Sequence, residues 1–111
     1  MNTVSVATNS GLKETTVKKI QQVLANYPDV RKAVLYGSRA MENYRPGSDI
    51  DLTLEGEALT LKQLNAIEIE LDELLLPYEI DLSIKHQIDN PDLLEHIKRV
   101  GVVFYTSAGR P

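Results

Sequence analysis

"YGSRAMENYRPGSDIDLTLEG", residues Tyr36 to Gly56, joins two pieces of a pattern. The apolar run KAVLY (32–36) halts at Gly37-Ser38, and Arg45–Ser48 reads as a turn. Asp49 and Asp51 then open a second run. There Asp49, Asp51, Thr53 and Glu55 alternate with Ile50, Leu52 and Leu54. Strict alternation predicts a strand over 49–56 with one polar and one apolar face. Setting carboxylates beside a strand costs several kcal/mol unless a cation compensates them. Positive charge is therefore expected at that polar face.

Working outward, residues 11–27 read as a helix, with Leu12, Val17, Ile20, Leu24 and Tyr27 in helical recurrence before Pro28. Residues 39–44 are expected to add one or two helical turns opened by Ser38 as cap. The strongest helix is 60–76: Thr60 caps it, Gln63 completes a capping box, and Pro77 stops it. Its buried stripe is Leu61, Leu64, Ile67, Leu71 and Leu74. EIDLSIK (79–85) alternates like the first strand and centres on Asp81. Asn90 and Pro91 open a last helix ending near Gly101, and VVFY (102–105) is a final strand. This order predicts an α/β (α+β) fold: a small mixed β-sheet with helices on one face. The other face carries Asp49, Asp51 and Asp81.

The chain of 111 residues fits one domain over 1–111, with 1–10 as a flexible polar lead-in. It contains no cysteine, which excludes disulfides and thiolate metal sites. It has no apolar run long enough for a membrane span, and its start does not read as a secretory signal. These features favour a cytoplasmic protein. A net charge of −4 argues against broad nucleic-acid binding but leaves room for a nucleotide held through metal ions.

On one strand face, residues i and i+2 lie about 6.5 Å apart, close enough for two carboxylates to bracket a hard cation. If strand 79–85 lies beside strand 49–56, Asp81 joins the cluster. Oxygen ligands without His or Cys suit Mg²⁺ or Mn²⁺. Gly37 permits close approach of backbone to a phosphate, and Ser38 adds a hydroxyl donor. Arg39 and Arg45 flank the loop as candidate grips on phosphate oxygens. His86 and His96 have no spacing partner and read as surface or helix-packing residues. Tyr36 reads as core or rim, and Tyr44 as an exposed loop residue.

The combined pattern, YGSRA followed by RPGSDIDLTL, resembles the polymerase-β-like nucleotidyltransferase superfamily, and most closely its minimal nucleotidyltransferases. The resemblance covers roughly residues 30–85. It implies the polymerase-β-like nucleotidyltransferase fold and a metal-dependent transfer of a nucleoside monophosphate, AMP from ATP, to a hydroxyl. It implies that Gly37, Ser38 and Ser48, with Arg39 and Arg45, bind the nucleotide. Asp49, Asp51 and Asp81 would be the catalytic, metal-holding carboxylates. It also implies a partner: relatives pair with a helical HEPN protein in toxin–antitoxin modules, some modifying a tyrosine on it. A homodimer is the other way to complete so small a site. Where relatives often read Gly-Ser-Arg-Ala-Arg-Gly, Met41 and Glu42 fill the last two places here. The rival reading is a binding module that neutralises its partner by contact alone. Haloacid-dehalogenase-type phosphatases share DIDLT but need an apolar strand before the first Asp, where RPGS stands here.

Overall fold

A computed structural model describes residues 10–107. Among them are helices α1 (Glu14–Ala25), α2 (Leu61–Asp72) and α3 (Pro91–Val100), and strands β1 (Lys32–Tyr36), β2 (Ile50–Glu55), β3 (Ile80–Ile84) and β4 (Val102–Thr106). The lead-in expected over 1–10 lies outside the described residues except for Ser10, which is buried.

The sheet order is β3-β2-β1-β4. β1 runs antiparallel to both β2 and β4, while β2 and β3 are parallel, so the sheet is mixed as expected. Alternation sets which side chains go where. Ala33, Leu35, Ile50, Leu52, Leu54, Leu82 and Ile84 face the main core, and α1 and α2 cover them with Val17, Ile20, Leu24, Leu64, Ile67 and Leu71. Leu61 is the exception in the predicted stripe, exposed at the first position of α2. The Thr60 capping box forms: Gln63 N donates to Thr60 Oγ1 at 3.2 Å, and Thr60 N donates to Gln63 Oε1 at 3.0 Å. Asn90 caps α3 by accepting from the Asp92 and Leu93 amides.

The two long helices cover one face. The short α3 lies against β1 on the other, where Ile97 packs on Val34 and Tyr36. That face is therefore open over β2 and β3 rather than over the whole sheet.

The helical turns expected over 39–44 do not form. A single 3-10 turn spans Gly37–Arg39, and Ser38 lies inside it rather than capping a helix. The Gly37 carbonyl accepts from both Ala40 and Met41, and the chain then leaves helical geometry at Glu42, whose φ is 65°. A side chain in the left-handed region breaks helical continuation.

Candidate active site

The site grows from the register between β1, β2 and β3. Asp51 pairs with Tyr36 on one side and with Asp81 on the other. All three side chains therefore share one face, Tyr36 beneath α3 and the two carboxylates at the open part of the sheet. Thr53 and Ser83 follow on the same face, with the Ser83 hydroxyl donating to Thr53 at 2.9 Å. Asp49 stands exposed just before β2, two residues ahead of Asp51.

Electrostatics tie the carboxylates together. Burial pushes the Asp51 carboxyl above its ordinary value, and the charges of Asp81 and Asp49 push it further, while His96 pulls it back. Burial also raises the Tyr36 phenol; its hydrogen bond with Ser83 opposes this, and the charges of Asp81 and Asp51 reinforce it. A half-buried acid held against two like charges is an environment that a cation relieves. The donor set is all oxygen, which fits a hard divalent ion such as Mg²⁺ or Mn²⁺. Among the described residues, no three acidic or imidazole side chains are gathered closely enough to hold a metal ion as they stand. Mutual repulsion of the carboxylates opposes such gathering without a counter-charge.

Gly37 ends β1 at the lip of this face with φ 76°. A Cβ there would meet Asp51 Oδ2 at 2.2 Å, so only glycine brings backbone this close to the carboxylate. The Gly37 amide donates to His96 Nε2 at 3.2 Å. Sequence reading missed His96. It reaches the site only because α3 crosses β1, and its ring meets Tyr36 edge-on with centroids 6.1 Å apart.

The arginines part company. Arg39 is 2% exposed and does not face the open sheet. Its Nη1 donates to the Ser10 carbonyl at 2.8 Å, its Nε to Ser48 at 3.1 Å and its Nη2 to Pro46 at 3.3 Å. The rings of Tyr44 and Tyr78 lie 5.2 and 4.9 Å from the guanidinium. Arg39 thus buckles the loop that delivers Asp49: the guanidinium expected to grip phosphate is buried, with three of its donors engaged by carbonyls. Tyr44, expected to be free in the loop, is engaged in this buckle. Arg45 is exposed. The Ser48 hydroxyl accepts from the Arg45 amide at 2.8 Å, closing the turn before Asp49.

Beside Asp49 opens a cleft of about 1000 Å³. Its floor includes Ile69, Leu76 and Ile80, and Glu68, Asp72 and Glu79 are among the acids lining it.

The polymerase beta nucleotidyltransferase family model matches residues 18–109, nearly the whole described chain. The chain belongs to the polymerase beta nucleotidyltransferase family. No curated protein sequence matches it significantly. Among solved structures, the chain resembles a toxin–antitoxin complex with AMP-PNP at TM-score 0.66 and 19% identity, over 87% of this chain and 76% of that one. It also resembles the toxin–antitoxin MntA-HepT at TM-score 0.63 and 19% identity, over 85% of this chain and 73% of that one. At such identity the likeness is one of fold. For this family member, the fold sets β1, the glycine turn, β2 and β3 around one acidic face. Among the described residues, no helix is long and apolar enough to cross a membrane.

Proposed function

We propose that this chain is a cytoplasmic nucleotidyltransferase that moves AMP from ATP onto a hydroxyl of a protein partner, a tyrosine of a HEPN-type helical subunit. In this reading it acts as the antitoxin of a two-component module. One observation carries the reading: Asp51 and Asp81 are register partners on the open face, directly beside the positive-φ Gly37. Family membership and the fold shared with toxin–antitoxin structures support it.

Asp49, Asp51 and Asp81 would hold Mg²⁺ or Mn²⁺. When bound, the metal would neutralise triphosphate charge and favour loss of the acceptor's proton. Gly37 and Ser38 would meet the triphosphate through backbone donors, since no Cβ bars the approach. The half-buried face under α3 would limit water at the α-phosphorus. The acceptor oxygen bonds to that phosphorus, the bond to the departing phosphate oxygen breaks, and pyrophosphate leaves. Asp81, exposed on the edge strand, stands where the acceptor would arrive. The cleft beside Asp49 offers room for the polypeptide bearing the hydroxyl, its acidic lining repelling a bare polyanion and favouring a basic segment.

A second reading, neutralisation by contact without turnover, is favoured by the carboxylates not standing gathered. Co-expression with the helical partner separates the two. Mass spectrometry is expected to find AMP on the partner with the parent chain. With Asp49→Asn the complex should persist and the partner stay unmodified. An unmodified partner, neutralised equally by both chains, sinks the catalytic reading.

A further inference from the structure

The Gly37 amide is the first backbone donor after β1, at the spot where the chain turns beneath the acidic face. It is already engaged, by His96 Nε2 at 3.2 Å. A backbone N–H can only donate, so Nε2 is the unprotonated nitrogen and the ring proton sits on Nδ1. The imidazole is firmly placed. Its edge meets Tyr36 at an interplanar angle of 81°, and the next residue, Ile97, is 3% exposed in the small cluster with Val34 and Tyr36. Gly101, just past the end of α3, lies against Val34 so closely that a Cβ would meet that side chain at 2.7 Å. α3 is thus pinned to β1 at Ile97, directly after His96, and again at Gly101.

We infer that His96 is a positioning residue of the phosphate cradle, its Nε2 standing where a phosphate oxygen of the nucleotide sits when the site is loaded. The inference rests on reading Gly37 and Ser38 as that cradle. One N–H makes one strong hydrogen bond, and imidazole nitrogen and phosphate oxygen are both acceptors. They therefore exclude each other at Gly37. The charged oxygen is the stronger acceptor, so a triphosphate with several other contacts displaces the ring. A small anion bringing one contact has little else to offset the bond it breaks. His96 keeps the amide satisfied and aimed outward, and it sets a threshold that selects a multidentate phosphate ligand.

The test uses the full chain, with Mg²⁺ and a non-hydrolysable ATP analogue in calorimetry. His96→Phe keeps a ring edge against Tyr36 and removes the acceptor. His96→Gln returns an acceptor near the Nε2 position. The Phe variant is expected to bind about fivefold tighter, the worth of one neutral hydrogen bond, and the Gln variant like the parent. In turnover the Phe variant should show a lower KM with kcat unchanged, a split that a merely structural role would not produce. Should the Phe variant melt out, His96→Asn, whose amide is too short to reach, takes its place. A folded Phe or Asn variant that binds equally well or more weakly overturns the inference. A parent chain that binds no nucleotide removes the cradle assignment itself, and this inference with it.

Discussion

Asp51 sits where opposing demands meet. Its position between Tyr36 and Asp81 is set by strand register, and burial beside like charges raises its carboxyl above the ordinary 3.8. An acid whose folded value is raised binds its proton more tightly in the folded state. Without metal, stability from this group is therefore lost as pH rises from 3.8 through the raised value, and it is regained as pH falls below that range. Asp51→Asn should raise the metal-free melting temperature near neutral pH while cutting transfer by about a thousandfold or more, several kcal/mol of charge stabilisation. Paired melting curves and turnover assays check both halves. At Gly37, φ 76° together with Asp51 Oδ2 close by leaves no room for Cβ. Gly37→Ala is expected to destabilise the fold by about 1–2 kcal/mol and to weaken nucleotide binding, measured by urea unfolding and calorimetry. Glu42 carries the opposite lesson. It occupies the place where the resembling family often has glycine, and its φ of 65° shows what that glycine is for. Glu42→Gly should stabilise the chain by roughly 0.5–1 kcal/mol in the same unfolding assay.

Helix α2 shows how much an element owes to its ends. Thr60 and Gln63 satisfy each other's backbone donors at the open N-terminus. The helix also bridges to the turn that follows α1, with the Tyr27 hydroxyl donating to Glu70. Thr60→Ala should cost about 1 kcal/mol in thermal unfolding and leave nucleotide affinity unchanged, because the cap lies away from the acidic face. The loop between β1 and β2 is an element of another kind, held by a side chain instead of a ladder. Arg39 ties the carbonyls of Ser10, Pro46 and Ser48 together and so fixes the approach to Asp49.

At the scale of the molecule, an acidic chain with pI near 5.1 concentrates three carboxylates on one open face. Any ion that binds the folded state there and not the unfolded chain stabilises the whole. Mn²⁺ or Mg²⁺ at about a hundred times its dissociation constant should add about 2.7 kcal/mol, several degrees of melting temperature for a domain of this size. EDTA should reverse the gain, and Asp49→Asn should shrink it. A melting temperature indifferent to both ions would count against the metal assignment.

Strands β1–β4, helices α1–α3 and the polar faces of β2 and β3 were legible in the chain itself. Alternation in DIDLTLE and EIDLSIK marked the strands, and the Thr60 and Asn90 caps marked helix starts, because period and capping are local properties. The pairing of Asp51 with Asp81 could be anticipated, since both centre on like-patterned strands. The rest was decided by tertiary structure. Arg39 reads as a candidate phosphate grip until the loop folds over it and three carbonyls claim its donors. His96 has no partner in sequence and gains Gly37 and Tyr36 only when α3 crosses β1. Local pattern determines what each segment becomes; contacts between residues far apart in the chain exist only once the sheet has set their register and the helices have closed on its faces.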